Sequence, residues 1–165
     1  MIYREIQGDL FTAKDSMLVQ CLSADIAAGA GIAVEFNKRF NMKNKLRTWF
    51  PNGILCADGK FEPTCVYISH EANEANVQGT FNLITKEKVW QKRSLITMEL
   101  ALLCLRVQVL TDGITKLAMP LIGCGIDGLS WKDVRKIIMK TFENTNVDIT
   151  VYYLEKDEDI VHGKN

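Results

Sequence analysis

One stretch of eleven residues, 117–127, constrains the fold of this chain more than any other. It reads Leu-Ala-Met-Pro-Leu-Ile-Gly-Cys-Gly-Ile-Asp, an apolar run that breaks into a glycine-rich turn and ends on a carboxylate. Residues 130–133 follow with the form of a helix N-cap and an acid three residues later. The pattern predicts a buried strand, a loop and a helix. Loops at the carboxyl ends of such strands bind ligands, and helix starts favour phosphate, so we expect one wall of a diphosphate-binding cleft here.

A second strand, loop and helix lie nearer the N-terminus. Residues 17–22 are mostly apolar, residues 29–31 read Gly-Ala-Gly, and Phe36 and Phe40 recur at helical spacing. Val34 stands where a dinucleotide-binding fingerprint has its third glycine, and the loop lacks the Gly-Lys-Ser/Thr of nucleotide-triphosphate loops. Alone, this loop could be a tight turn. As the second unit of its kind, it predicts the other wall of the cleft.

The rest of the chain alternates strand and helix patterns. We predict strands at residues 2–6, 17–22, 66–68, 81–85 and 148–154 and at the start of 117–127, and helices from residue 32 to 40, 42 to 50, 95 to 109 and 131 to about 144. Residues 70–79 read as a polar surface loop. The alternation predicts an α/β fold, a mixed or parallel sheet with helices on both faces. We expect one domain over residues 1–154 and a charged, frayed C-terminal tail over 155–165.

Composition narrows the function classes. Lys and Arg together number 20, as do Asp and Glu, so the zero net charge gives no overall attraction to nucleic acid or to a membrane. No signal segment and no membrane-spanning apolar run is present. The five cysteines have no C-x-x-C spacing and the two histidines no ligand spacing with them, which indicates free thiols and no metal site. We expect a cytoplasmic or nucleoplasmic protein.

Four polar residues beside the predicted loops each allow a structural and a chemical interpretation. Asp9 could cap a turn or accept a hydrogen bond from an exocyclic amine such as that of adenine. Lys86 could be a solvated surface residue, or a nucleophile whose pKa is lowered by burial or a nearby cation. Asp127 could cap a turn, or act as a general acid/base and stabilise positive charge on a sugar ring. Cys124 reads as a small buried residue rather than a nucleophile.

Read together and in order, five segments resemble the macrodomains, the ADP-ribose-binding fold. The segments are Gly8-Asp9-Leu10-Phe11, Ser23, Gly29-Ala30-Gly31-Ile32-Ala33, Leu83-Ile84-Thr85-Lys86 and Pro120-Leu121-Ile122-Gly123-Cys124-Gly125-Ile126-Asp127. From about residue 2 to 154 the chain is most similar to the terminal ADP-ribose protein glycohydrolase branch, which includes the macrodomain antitoxins that remove ADP-ribose from DNA. The resemblance implies a three-layer α/β/α fold with a mixed central sheet.

The resemblance also implies residue roles. Lys86 matches the lysine that attacks the anomeric carbon of the distal ribose and forms a covalent lysyl intermediate, and Asp127 matches the aspartate that helps to open the ribose and resolve that intermediate. Asp9 matches the aspartate that holds the adenine amine. The implied ligand-binding residues are Asp9, Leu10, Ser23, Gly29, Ala30, Gly31, Ile32, Ala33, Thr85, Pro120, Ile122, Gly123, Cys124, Gly125 and Ile126.

The implied function is removal of mono-ADP-ribose from modified protein carboxylates or nucleobases, without a cofactor or a metal. The partners would be ADP-ribose or ADP-ribosylated protein or DNA, with no membrane, and we expect a monomer. Two alternatives use the same pocket: a phosphatase acting on ADP-ribose 1″-phosphate, and a non-catalytic ADP-ribose reader. The stretch 41–80 is long for the family, and Trp49 and Trp90 have no counterpart in its motifs.

Overall fold

The computed structural model describes residues 1–125 and 128–163, which form six strands and five α-helices. The strands are β1 (Ile2–Gln7), β2 (Met17–Ser23), β3 (Thr64–Ser69), β4 (Gly79–Lys86), β5 (Lys116–Met119) and β6 (Asp148–Tyr153). The α-helices are α1 (Ile32–Phe40), α2 (Met42–Trp49), α3 (Leu95–Thr111), α4 (Trp131–Phe142) and α5 (Glu158–Val161), with 3-10 turns at Leu10–Thr12 and Glu155–Asp157.

The strands form one sheet in the order β1-β6-β5-β2-β4-β3. Every neighbouring pair is parallel except β3 and β4, which are antiparallel. The predicted α/β fold with a mixed sheet is confirmed. Between α1 and α2 the chain is interrupted by Asn41, whose left-handed conformation (φ 53°, ψ 39°) ends one helix and starts the next.

Two apolar cores lie on the two faces of the sheet, because successive side chains of a strand point to opposite faces. In β2, Met17 and Val19 belong to the core under α3 and α4. Leu18 and Leu22 belong to the core under α1 and α2. All eight residues of β4 are buried. The helices therefore cover both faces, which gives the three layers that the family resemblance implies.

A crevice is expected where β2 and β5 lie side by side, because the chain leaves them in opposite directions. From β2 it passes through α1 and α2 toward β3 and β4, and from β5 it passes through α4 to β6. The two predicted loops follow these two strands at the same edge of the sheet. No helix in the described ranges is long and apolar enough to cross a membrane.

The C-terminal segment differs from the prediction. We expected residues 155–165 to fray, but a 3-10 turn and α5 fold residues 155–161 back onto α4. Ile160 packs against the core under α3 and α4, Val161 is buried, and the Arg135 guanidinium donates a 2.9 Å hydrogen bond to the Val161 carbonyl. Two adjacent apolar residues in a charged tail were the signal for this packing. Residues 164 and 165 lie outside the described part of the chain.

Candidate functional site

The carboxyl ends of β2 and β4 bring Ser23 and Lys86 together. The two residues are paired in the parallel ladder, after an irregularity between Leu22 and Ser23. Beyond the strands the pairing continues, because the Ala24 N–H donates to the Lys86 carbonyl at 2.8 Å. Both side chains are buried, Ser23 at 4% and Lys86 at 8% exposure. The structure therefore places the predicted lysine beside the predicted serine at the carboxyl ends of β2 and β4, where we predicted the ligand to bind.

Lys86 is not a solvated surface lysine. Its ammonium Nζ donates a 2.9 Å hydrogen bond to the Val89 carbonyl. Burial and the nearby Arg93 guanidinium lower the pKa of Lys86, while Asp25 and Cys21 oppose that shift. Arg93 is itself held by a 2.5 Å hydrogen bond from Nε to the Thr85 hydroxyl, which is buried. This environment shifts the protonation equilibrium of Lys86 toward the neutral amine, which is the nucleophilic form.

Asp25 is a site residue that the sequence reasoning missed. Its Oδ1 accepts hydrogen bonds from the Ser23 hydroxyl at 2.5 Å and from the Ala27 N–H at 3.4 Å, and its Oδ2 accepts one from the Val89 N–H at 3.0 Å. Partial burial raises the pKa of Asp25, but these hydrogen bonds outweigh it and hold the pKa below its usual range. An aspartate two residues past a buried strand was the signal that could have marked it.

The segment between β2 and α1 has unusual backbone geometry. Ile26 (φ 56°) and Ala28 (φ 46°) lie in the left-handed region, and Ile26 is buried. A β-branched residue there costs about 1–3 kcal/mol, strain that proteins tend to keep at functional sites. Gly31 (φ 62°, ψ −149°) has a conformation that essentially only glycine adopts, and it precedes α1 without a side chain to cap the helix.

The predicted residues of this first loop differ in exposure. Gly29, Ala30 and Gly31 are exposed, Ile32 is half-buried, and Ala33 is buried in the core under α1. The exposed backbone of residues 29–31 and the first N–H groups of α1 thus form a surface that suits an anion. The side chain of Ala33 lies beneath that surface.

The second loop is described as far as Gly125. Gly123 (φ 73°) leaves no room for a side chain, since a Cβ there would lie 2.7 Å from the Met98 Cε and 2.9 Å from a Leu129 methyl. Ile122 is buried and Pro120 half-buried, while Gly125 is exposed. Ile126 and the predicted catalytic Asp127 lie outside the described residues.

Cys124 behaves as the small buried residue that we predicted. It is 5% exposed, and burial raises the pKa of its thiol to about 12. A thiol with that pKa is not a nucleophile near neutral pH. At the end of the loop, Ser130 is the N-cap residue of α4, as predicted, but its side chain makes no capping hydrogen bond.

Asp9 takes the structural role that its sequence position allowed. Its Oδ1 accepts a 2.9 Å hydrogen bond from the Phe11 N–H and caps the 3-10 turn. The Asp9 side chain is exposed, so a contact with adenine stays a prediction. Leu10 is buried against the core under α1, which leaves only its backbone for a ligand. The Arg39 guanidinium lies 4.4 Å above the Phe11 ring.

A cavity of about 410 Å³ opens beside Asp25. One wall is the last turn of α2 and the turn that follows it, with Arg47, Phe50 and Asn52, and the other is formed by Asp25 and by Glu87 and Lys88 after β4. The turn is tied to the segment after β2 by a 2.8 Å hydrogen bond from the Ile54 N–H to the Ala24 carbonyl. Part of the unassigned stretch 41–80 therefore helps to build the candidate site.

Two tryptophans flank this cavity in the sequence. Trp49 precedes Phe50 and is 75% exposed, and Trp90 follows the Glu87–Val89 turn and is 77% exposed.

A second cavity of about 710 Å³ lies between Cys124, the start of α4 and residues 160–163. In the described ranges no three His, Cys, Asp or Glu side chains are grouped as a metal site requires.

The chain matches some known proteins in sequence and others in structure. No protein-family model matches it. A bovine protein named ADP-ribose glycohydrolase OARD1 is 34% identical over 154 residues, which cover 90% of each chain. The macrodomain of Mycobacterium tuberculosis DarG superposes with a TM-score of 0.80 at 22% identity, covering 92% of this chain and 97% of that one. Thermosipho africanus DarTG in complex with ADP-ribose gives a TM-score of 0.78 at 17% identity, covering 97% of this chain and 45% of that one.

Proposed function

The chain belongs to the macrodomain family, in the branch of the terminal ADP-ribose glycohydrolases, and we propose that it removes mono-ADP-ribose from a modified carboxylate or nucleobase. The predicted family, fold and hydrolase class agree with its relatives. The buried Lys86 at the end of β4, with its lowered pKa, supports the proposal most strongly. A reader module has no need of a buried amine whose environment disfavours its charge, so this observation favours catalysis.

In the proposed reaction, the neutral Lys86 amine attacks the anomeric carbon of the distal ribose. A C–N bond forms as the bond to the acceptor breaks, and the acceptor leaves with the electron pair. Water then replaces the lysine and releases ADP-ribose. The developing positive charge on the sugar is stabilised by a carboxylate, the role that we propose for Asp127.

We propose that ADP-ribose lies across the carboxyl ends of β2 and β5. The exposed backbone of residues 29–31 and the start of α1 would bind the diphosphate from one side, and the loop through Gly123 and Gly125 from the other. Asp9 would meet the adenine amine. In this pose the distal ribose reaches Ser23 and Lys86, and the acceptor extends toward the cavity beside Asp25.

A single-turnover assay tests this proposal and identifies which of two modified substrates the protein acts on. ADP-ribose release is measured from glutamate-modified protein and, in parallel, from thymidine-modified single-stranded DNA. Lys86→Ala should abolish release while calorimetry still detects ADP-ribose binding. Lys116→Ala is the matched control, because Lys116 is exposed at the opposite end of β5. Binding without release from either substrate would overturn the hydrolase proposal, and a phosphate-release assay on ADP-ribose 1″-phosphate would then separate the phosphatase from the reader.

We also propose that the protein acts as a monomer in the cytoplasm or nucleoplasm. All five cysteines lie in the described ranges and are free thiols, which is consistent with a reducing compartment. Light scattering after size exclusion should give a mass near 18.6 kDa. Twice that mass at micromolar concentration would contradict the monomer.

A further inference from the structure

Asp25 links two segments that follow neighbouring strands. From the segment after β2, its Oδ1 accepts from Ser23 and Ala27. From the turn after β4, the Val89 N–H donates to its Oδ2 at 3.0 Å. The backbone adds a further link, because the Asp25 N–H donates to the Glu87 carbonyl at 3.1 Å. One carboxylate thus joins the strained segment after β2 to the turn after β4.

The turn after β4 also holds the Lys86 side chain. The Val89 carbonyl accepts a 2.9 Å hydrogen bond from Lys86 Nζ, and the Val89 N–H donates a hydrogen bond to Asp25. By holding Val89 in place, Asp25 therefore also fixes the position of the carbonyl that accepts one hydrogen of the Lys86 amine. A neutral amine has one lone pair, so an acceptor that engages one of its N–H bonds restricts the direction of that lone pair.

We propose that Asp25 is a positioning residue for Lys86: its carboxylate clamps Val89 so that the amine is held with its lone pair toward the sugar. The inference rests on the proposed function, since it assumes that Lys86 is the nucleophile. Asp25 need not touch the substrate to act in this way. It also explains why a strained segment is retained after β2, because that segment carries the clamp.

The pKa of Lys86 can distinguish a clamp from a purely structural contact, because charged and titratable groups around the amine shift it. Arg93 lowers the pKa of Lys86, whereas Asp25 and Cys21 raise it. Replacing the Asp25 carboxylate by an amide removes a charge that favours the lysine cation, so the pKa of Lys86 should fall further. A change that only loosened the fold would expose Lys86 to water and raise its pKa, which is the opposite direction.

The test compares Asp25→Asn with Glu71→Gln, which removes an exposed carboxylate from the loop between β3 and β4, at the end of β4 opposite Lys86. The pKa of Lys86 is read from the ¹³Cε shift of the labelled side chain without substrate, and kcat and KM are measured against pH. In Asp25→Asn we expect the pKa of Lys86 and the acid limb of kcat/KM to move down, because a charge that favours the lysine cation is removed. The kcat should fall by about ten- to a hundredfold with KM changed less than about threefold. Glu71→Gln should retain the wild-type kcat.

Two results would overturn the inference: an unchanged Lys86 titration and kcat in folded Asp25→Asn, or an equal loss of kcat in Glu71→Gln. If Asp25→Asn does not fold, Asp25→Glu replaces it, because it keeps the charge and shifts the carboxylate by one methylene. In Asp25→Glu we expect kcat to fall while the acid limb of the kcat/KM profile stays where it is in the wild type. A wild-type kcat in this variant would contradict the clamp. Equal release by wild type and Lys86→Ala would instead overturn the proposed function, and the Lys86 titration would still report on Asp25.

Discussion

Two polar clusters in this protein contain a carboxylate and a base, and they shift the pKa of the base in opposite directions. The Lys86 cluster comprises Ser23, Asp25, Lys86, Val89 and Arg93. The Glu5 cluster comprises Tyr3, Glu5, Trp131 and Arg135, between β1 and α4. In the Glu5 cluster the carboxylate directly accepts a bidentate guanidinium, with Arg135 Nε and Nη2 at 2.7 and 2.8 Å from the two Glu5 oxygens.

The pKa shifts of the two clusters express this difference. Burial raises the pKa of Glu5, but hydrogen bonds from Arg135, Tyr3 and Trp131 outweigh it, and the pKa is lowered. The hydrogen bond to Glu5 raises the pKa of Arg135. Both groups are therefore held in their charged forms. In the Lys86 cluster the amine is pushed toward its neutral form instead. A paired ion stabilises a fold, whereas a buried base with a lowered pKa is suited to chemistry.

The largest expected difference comes from removing Lys86. Lys86→Met keeps most of the apolar volume and removes a buried group whose charge the environment disfavours. Turnover should fall at least about a thousandfold, while the free energy of unfolding should stay the same or rise. Paired urea unfolding and single-turnover assays measure the two quantities. A loss of stability of several kcal/mol would show that Lys86 is a structural ion, like Arg135.

Glu5→Ala should produce the opposite result. It leaves the partly buried Arg135 guanidinium and the Trp131 N–H without their acceptor, so we expect a loss of about 2–3 kcal/mol in the free energy of unfolding. The kcat should be unchanged. Asp148→Ala is the control, because its ion pair with Arg4 is more exposed and should be worth less than about 1 kcal/mol. Equal losses in the two variants would show that the Glu5 cluster is no more than a surface ion pair.

His70 sharpens the comparison, because it is a half-buried base at the end of β4 opposite Lys86. It stacks on Phe40 with ring centroids 3.9 Å apart, and Nε2 lies 2.7 Å from the Thr80 hydroxyl. Burial first, and then the charge of Lys45, lower the pKa of His70 to about 4. A lowered pKa alone therefore does not mark an active site; its place at the carboxyl ends of the strands distinguishes Lys86.

The His70 shift predicts a pH dependence of stability. The unfolded chain binds a proton at His70 near pH 6.5 and the folded chain only near pH 4, so stability should decrease as pH falls through that window. With the ring partly exposed, we expect about 1–2 kcal/mol between pH 7 and 5. His70→Gln should flatten this slope in urea titrations. The same slope in both proteins would contradict the assignment, since Glu5 titrates below pH 4.5.

The fold was predictable because its strands and helices have strong apolar periodicity. β2 and β5 are largely buried strands whose following loops lie at the site, and Lys86 is the last residue of the wholly buried β4. The edge strand β3 was harder, because only two of its six residues are buried and only residues 66–68 had a strand pattern. The C-terminal segment was missed because only two apolar residues anchor it.

Residues of the candidate site were predictable only where they belong to a motif that is local in the sequence. The motif around Lys86 and the glycines of the two loops were visible along the chain. Asp25 was not, because its role depends on Val89, a residue that the folding of β4 beside β2 brings into reach. The cavity beside Asp25 similarly depends on packing of the turn after α2 against the segment after β2.

The most direct test of the Lys86 assignment is to map the covalent intermediate. Wild-type protein is mixed with glutamate-linked ADP-ribose substrate, quenched within a single turnover, and analysed by intact mass and peptide mapping. We predict one added ADP-ribosyl group on Lys86, absent from Lys86→Met. Full release of ADP-ribose with no adduct on Lys86, at the same rate in both proteins, would contradict the account.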